Sequence, residues 1–292
     1  MVAPIRRRFR RSRSRALARR IALDFRISKQ GNGKIEEGMQ RHRVHFVYLH
    51  GLRPGEGPAF RNLIRDLRAA HELVSYSEAI RRVEKGPIDR PYLCLSFDDG
   101  LASCLRASSI LNEEGVSACF FVCAGLVGLA PKELREFIPG AFGQGDGTMD
   151  WDELETLLAA GHEIGNHTMS HRVLAEVSAS EAATQISASR DVLEARLGTV
   201  SHFAWPRGQF HHFSSNSGKL VRESGHASCA SGVRGSHSIP AGDLYPCIRR
   251  DYVDLSWPLP HIRYFVGTSG LRSTATDNAW PTAWDVRKEG AV

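Results

Sequence analysis

The sequence predicts an α/β protein whose parallel sheet is covered by helices, either closed as a barrel or open and doubly wound. From residue 43 onward, short apolar runs alternate with segments of helical periodicity. The 292 residues are 42% hydrophobic and 24% charged, which is ordinary for a soluble globular protein and excludes a fibrous or wholly disordered chain. No glycine-rich dinucleotide fingerprint follows the first strand, which disfavours an open nucleotide-binding sheet.

The apolar runs are predicted as strands because each is short and is followed by glycine, proline or polar residues. They span residues 44–50, 92–97, 116–122, 162–166, 202–205 and 226–230. The third run is strongly apolar throughout, as expected of a strand that is buried on both faces.

Helices are predicted between these strands, at residues 58–70, 101–114, 150–161, 178–197 and 214–224. Asp150 with Glu153, and Ser178 with Glu181, have the spacing of capping boxes at two of the helix starts. The glycine- and proline-rich stretch 125–147 has no clear period and is predicted to be an inserted loop.

The pattern divides the chain into a basic, flexible N-terminal arm (1–42), a catalytic domain (43–267) and an irregular C-terminal tail (268–292). Residues 1–20 contain nine arginines and no acidic residue, so their formal charge is +9. Because the whole chain has a formal net charge of +6, residues 21–292 have a formal net charge of −3. Runs of like charge are usually solvated and disordered. The acidic balance of the body argues against a nucleic-acid partner, whereas weak contact of the arm with an anionic membrane surface is left open.

The arginine run is not followed by the apolar segment that a secretory or twin-arginine signal needs, and no stretch reaches the length of a membrane span. The six cysteines form no regular framework and are predicted to be buried, reduced thiols. We therefore expect a cytoplasmic protein.

Two carboxylates follow a predicted strand directly, at Asp98 and Asp99, before Gly100. Adjacent carboxylates at the end of a buried strand are costly unless something pairs them. A metal ion would offset this cost if one carboxylate bound the ion while the other took a proton from metal-bound water. Taken alone, the Asp-Asp-Gly sequence is also a common turn.

Two histidines at positions i and i+4, His167 and His171, follow the strand at 162–166. Histidines at this spacing lie on one face of a helical turn and can hold a divalent ion between them. With one of the aspartates they make a three-residue ligand set that leaves room for water and substrate.

The chain at this point resembles the polysaccharide deacetylases, the nodulation-enzyme type of carbohydrate esterase family 4. The resemblance spans roughly residues 43–240 and rests on Leu95-Ser-Phe-Asp-Asp-Gly100, Ala118-Cys-Phe-Phe-Val122 and Gly161-His-Glu-Ile-Gly-Asn-His-Thr-Met-Ser-His171. It implies a distorted (β/α) barrel and a hydrolase that removes N-acetyl groups from an amino sugar, glycan or glycoconjugate.

The resemblance also implies roles for the four polar residues. Asp98 would be the general base, and Asp99, His167 and His171 would bind one divalent metal, zinc in most of the family, with cobalt or manganese as alternatives. The metal would polarise the acetyl carbonyl and activate water.

Two positions depart from the family pattern. The third motif usually carries an arginine that orients the catalytic aspartate, but Ala204 stands there and Arg207 follows three residues later. The general-acid histidine is placed at His237, with His261 as the alternative.

Three further residues are predicted to contact substrate. His50 ends the first strand and faces the same rim, Trp205 lies beside the third motif where it could stack on a sugar, and Arg207 could reach the site. The alternatives are a non-catalytic metal-binding scaffold and an amidase for a small non-carbohydrate N-acyl compound.

Overall fold

The computed structural model describes residues 5–137, 146–271 and 278–281. Every strand pairing in it is parallel, and the neighbours run in the order β8-β7-β6-β5-β4-β3-β1-β9, with β2 paired to β3. The strands are β1 Arg43–Leu49, β2 Glu72–Leu73, β3 Pro91–Phe97, β4 Ala118–Val122, β5 Glu163–Asn166, β6 His202–Ala204, β7 Ser228–Ala230, β8 Cys247–Ile248 and β9 Asp251–Tyr252.

The two edge strands of this sheet are almost consecutive in sequence. Only Arg249 and Arg250 separate β8 from β9, so the edges lie within about 11 Å along the chain. The sheet must therefore curl back on itself, which confirms the predicted distorted α/β barrel.

Helices cover the outer face of the curled sheet. Their order follows the predicted alternation from β1 onward, and the predicted helices are confirmed to within a few residues. The helices are α1 Ile5–Gln30, α2 Asn32–Gln40, α3 Gly57–Ala70, α4 Tyr76–Lys85, α5 Cys104–Glu113, α6 Pro131–Phe137, α7 Trp151–Ala159, α8 Ala179–Ala183, α9 Ser189–Leu197, α10 Ser215–Glu223 and α11 Leu259–Leu271. A π-helical turn, Thr184–Ala188, joins α8 to α9.

The inner face of the barrel is closed at the amino-terminal end of the strands. There α4 packs its buried side, which includes Tyr76 and Ile80, against inward-facing residues such as Phe46 and Phe121. The ring of Tyr76 also contacts His202 at the start of β6, with ring centroids 4.9 Å apart. The polar residues lie at the other end of the barrel, at the carboxyl ends of the strands.

All six cysteines are buried and free, as predicted.

The N-terminal segment is folded where a flexible arm was predicted. Helix α1 starts at Ile5, and α2 packs on α11 with Ile35 and Met39 buried. The prediction is therefore wrong for α2 and the adjoining part of α1, where Leu23 is also buried. Residues 1–4 lie outside the described chain.

The C-terminal segment also differs from the prediction. Helix α11 extends to Leu271, beyond the predicted domain end at residue 267. Asn278 is buried and donates a hydrogen bond to the Ile239 carbonyl at 2.6 Å. Residues 272–277 and 282–292 lie outside the described chain, as do 138–145 of the predicted loop, whose earlier part contains α6.

Among the described residues, no helix combines the length and apolar composition needed to cross a bilayer.

Glycines set the close packing of α2 on α11. A Cβ on Gly38 would lie 2.1 Å from the Gly267 carbonyl oxygen, and one on Gly270 would lie 2.1 Å from the Gly38 oxygen. Gly33 in the same helix α2 has open space around it.

Replacing Gly38 with Ala should therefore lower the free energy of unfolding by about 1–3 kcal/mol, because the helices must separate to admit the methyl group. The matched Gly33→Ala variant should be neutral or more stable, by up to about 1 kcal/mol, because alanine is the better helix former. Urea unfolding of both variants measures this, and equal stabilities would show that α2 is not part of the packed body.

Candidate active site

A cavity of about 520 Å³ opens at the carboxyl ends of the strands. Its lining residues come from the ends of β1, β3 and β9 and from the segments that follow β5, β6 and β7. They are Tyr48, His50, Asp98, Asp99, His167, His171, Arg207, Gly208, Gln209, Gly232, Val233, Arg234 and Tyr252. In α/β barrels, this end of the sheet is where ligands bind.

Asp98 is held by an arginine that reaches it from the seam of the barrel. Arg250, between β8 and β9, donates from its two terminal nitrogens to Asp98 Oδ1 at 2.7 Å and Oδ2 at 2.8 Å. Its Nε donates to the Ser231 carbonyl at 2.9 Å. Burial disfavours the charge of Arg250, but the Asp98 carboxylate raises the pKa of its guanidinium above the ordinary value. The pair is thus a bidentate ion pair with a fixed orientation.

Sequence reasoning missed Arg250. The family motif places the arginine at Ala204, and the structure shows that Arg207, three residues later, does not pair with Asp98 either. One feature of the sequence could have indicated Arg250. Two arginines, Arg249 and Arg250, directly follow the apolar dipeptide Cys247–Ile248.

Asp99 turns away from Asp98 and meets the two histidines. Its Oδ1 lies 3.3 Å from His167 Nε2 and 3.2 Å from His171 Nε2. Ligands on a tetrahedral ion with bonds of about 2.0–2.1 Å lie about 3.3 Å apart. Asp99 Oδ1 is buried and has no well-aligned hydrogen bond among the described residues. The three ligand atoms therefore fit a divalent ion that takes one oxygen and two nitrogens.

The electrostatics of Asp99 agree with that fit. Burial alone would raise the pKa of its carboxyl, but His167 and His171 together hold it well below the usual range. Asp99 is therefore ionised, as a metal ligand must be.

Hydrogen bonds fix the orientation of His167. Its Nδ1 lies 2.7 Å from the Ala204 carbonyl, which can only accept, so Nδ1 donates this bond and Nε2 is the nitrogen that faces Asp99. Its backbone N–H donates to the Val122 carbonyl at 2.9 Å. Asn166 stabilises the same turn, because its Oδ1 accepts from the Thr168 N–H and from Ser189 Oγ.

Backbone strain is concentrated at the site. Among the described residues, the non-glycine residues with positive φ are Asp99 (76°), Thr168 (73°), His171 (56°) and Arg207 (63°). Such conformations cost energy and persist only where the surroundings enforce them. All four lie in the turns that present side chains to the cavity.

Two of the three predicted substrate contacts line the cavity. His50 Nε2 lies 3.8 Å from Asp99 Oδ2, and Arg207 is exposed at the rim. Trp205 is not among the lining residues, which corrects the prediction that it stacks on substrate. It is buried against Phe213, with ring centroids 4.4 Å apart, and its Nε1 donates to the Gln209 carbonyl.

The candidate acid His237 lies away from the cavity, so we do not assign the acid to it. It bridges to Val44 at the start of β1, about 16 Å along that strand from the end where Asp98 lies. Its Nδ1 bonds to Asn278 Oδ1 and its Nε2 accepts from the Arg249 N–H, so both nitrogens are engaged. Burial lowers the pKa of His237 to about 4, which keeps it neutral. The alternative, His261, pairs with Asp24 of α1 instead.

The structure thus combines a curled α/β barrel with three residues that could hold a metal ion and, beside them, a carboxylate that an arginine holds separately. Residues 85–227 match the model of the polysaccharide deacetylase family. This match supports the resemblance that the motifs carry.

Two characterised relatives have sequences similar to part of the chain. A peptidoglycan-N-acetylmuramic acid deacetylase of Bacillus subtilis is 26% identical over 136 residues, which cover 46% of this chain and 24% of the relative. A peptidoglycan-N-acetylglucosamine deacetylase of Bacillus cereus is 27% identical over 143 residues, 48% of this chain and 45% of the relative. The matched segment thus spans less than half of each relative.

Solved structures with the same fold cover more of the chain. IcaB from Ammonifex degensii aligns with a TM-score of 0.65 and 20% identity over 79% of this chain and 98% of its own. A de-N-acetylase from Aggregatibacter actinomycetemcomitans gives a TM-score of 0.60 and 18% identity over 76% and 99%. These likenesses show the barrel fold.

The Arg250–Asp98 pair predicts a specific pattern of stabilities. Arg250→Met should lower the free energy of unfolding by about 3–5 kcal/mol, because it leaves a buried carboxylate without its partner. Combined with Asp98→Asn, the loss should be smaller than the sum of the two single losses by about 1–3 kcal/mol. Urea unfolding of the four proteins measures this coupling, and additive losses would mean that the pair contributes nothing.

Proposed function

We propose that this chain is a metal-dependent hydrolase that removes N-acetyl groups from an amino sugar within a glycan or glycoconjugate. The observation that supports it most strongly is the separation of two adjacent carboxylates. Asp98 is held by Arg250, while Asp99 faces His167 and His171, and both line one cavity. One carboxylate thus remains outside the ligand set and free to move a proton.

Asp99, His167 and His171 would hold the ion. Two imidazole nitrogens and one carboxylate oxygen suit zinc, with cobalt or manganese as the alternatives. When bound, the ion would polarise the acetyl carbonyl and lower the pKa of water at the site.

Asp98 would act as the general base. Arg250 occupies one side of each carboxylate oxygen, and each oxygen has a further lone pair that can accept a proton from the attacking water. The bidentate contact holds the carboxylate in one orientation, which favours proton transfer along a fixed direction. With His237 away from the cavity, the protonated Asp98 is the group placed to return that proton to the leaving nitrogen.

The proposed substrate class is supported by the similarity to the family and by the size of the cavity. The two characterised relatives are named as deacetylases of peptidoglycan amino sugars. A cavity of about 520 Å³ admits one sugar ring with its acetamido group, within the range of about 300–1,000 Å³ usual for ligand sites. His50 and Arg207 line this cavity and would contact the sugar.

The contact with a membrane surface stays a prediction. Ile21 and Phe25 of α1 are 60% and 69% exposed, next to Arg20 and Arg26. An exposed apolar pair beside arginines favours an anionic lipid surface over a purely solvated helix.

Asp98→Asn should lower kcat for acetate release by about 10²–10⁴-fold while the purified protein keeps its metal, because the amide cannot accept the proton. Asp99→Asn and His171→Gln should lose the metal as well as activity. Acetate release from N-acetylated oligosaccharides, together with metal content by mass spectrometry, measures both effects. His211→Gln is the matched control, since His211 is exposed and does not line the cavity.

Each alternative has its own outcome in this experiment. A scaffold would bind metal and release no acetate from any substrate, and a small-compound amidase would cleave simple N-acyl compounds but not glycans. Loss of metal from Asp98→Asn, or activity that survives removal of the metal by a chelator, would contradict the assignment of base and ligands.

A further inference from the structure

The charged groups around the cavity are paired, with one exception. Asp98 is paired with Arg250, and Arg234 lies 3.5 Å from Asp251 Oδ1 and donates to the Tyr252 carbonyl. In the described part of the chain, the guanidinium of Arg207 makes neither an ion pair nor a hydrogen bond, although it lines the cavity and is exposed there. The rim therefore carries one guanidinium that no described carboxylate compensates.

The backbone holds Arg207 in place at an energetic cost. Its φ of 63° is in the left-handed region, and Gly208 follows with a φ of 65°. The Gly232 N–H donates to the Gly208 carbonyl at 2.8 Å, and a Cβ on Gly208 would lie 2.5 Å from the Gly232 nitrogen. The turn is thus locked against the segment after β7, and a strained, enforced conformation at a site is typical of a functional contact.

Flanking contacts make the same turn rigid. Trp205, buried just before it, donates from its Nε1 to the Gln209 carbonyl just after it, at 3.2 Å. Pro206 fixes its own φ immediately before Arg207. The guanidinium is therefore presented to the cavity from a preorganised backbone, which reduces the entropy lost when it binds a ligand.

We propose that Arg207 binds an anionic substituent of the substrate, so that the chain selects acidic N-acetylated amino sugars over neutral ones. A planar guanidinium recognises a carboxylate or a phosphate ester by two parallel hydrogen bonds, and both substituents occur on amino sugars. This inference rests on the proposed deacetylation, since it names the substrate class of that same cavity.

The test compares three sugars that share the acetamido group and differ in charge. They are N-acetylglucosamine, N-acetylmuramic acid with its carboxylate, and N-acetylglucosamine 6-phosphate. Calorimetry on the zinc-loaded Asp98→Asn protein, which does not turn over, measures binding of each. At least one acidic sugar should bind about tenfold to a hundredfold more tightly than the neutral one, as expected of a hydrogen bond to a charged group.

Arg207→Gln should remove that preference, and Arg207→Lys should restore part of it. Arg196→Gln is the control for net charge, because Arg196 is exposed on α9 and does not line the cavity. A preference for the carboxylate sugar or for the phosphate sugar identifies the substituent. Equal binding of all three sugars, no measurable binding of either acidic sugar at millimolar concentration, or a preference unchanged by Arg207→Gln overturns the inference.

Acetate release separates this inference from the proposed function. If the wild-type chain deacetylates neutral oligosaccharides and Arg207→Gln alters neither binding nor turnover, the deacetylase proposal stands and the inference fails. If acidic sugars bind through Arg207 but no N-acetylated glycan releases acetate, the inference about binding stands and the deacetylase proposal fails.

Discussion

The ion pair between Asp98 and Arg250 is the interaction on which the site depends most. Both side chains are buried, and a buried charge without a partner is among the most destabilising features a fold can have. Arg250 directly precedes β9, which pairs with β1, and β1 in turn pairs with β3, the strand that Asp98 follows. The orientation of Asp98 therefore depends on the pairing of β9 with β1 at the edge of the curled sheet.

That pair also explains how two adjacent aspartates can have different roles. Asp98 is directed into the barrel seam by two hydrogen bonds, while the positive φ of Asp99 turns the next carboxylate toward His167 and His171. In the part of the chain that the structure describes, the strained non-glycine residues lie in turns after the strands, where the rigid sheet enforces the conformation.

The sequence predicted the parts of the fold that are set by local pattern. The strand ends that carry Asp98, Asp99, His167 and His171 follow from apolar runs and from the geometry of parallel strands, which place their carboxyl ends at one edge. The capping box of Asp150 and Glu153 was likewise local and is confirmed.

The errors came from contacts between distant residues. Arg250 lies between two two-residue strands that have no readable period, and it reaches Asp98 through the long-range pairing of β9 with β1 and of β1 with β3. His237 was chosen for its place in the sequence, but its bridge to Val44 holds it at the other end of the strand. Helix α2 is too short, and has too few apolar residues, to predict its packing on α11 from Ile35 and Met39 alone.

The most direct test of the account is a crystal structure of the zinc-loaded protein with anomalous data at the zinc edge. The account predicts a single strong peak bonded to Asp99, His167 Nε2 and His171 Nε2 at about 2.0–2.2 Å, with Asp98 still bonded to Arg250 and outside the ligand set. A zinc ion bonded to Asp98, or one bound elsewhere on the chain with these three residues unchanged, would contradict it.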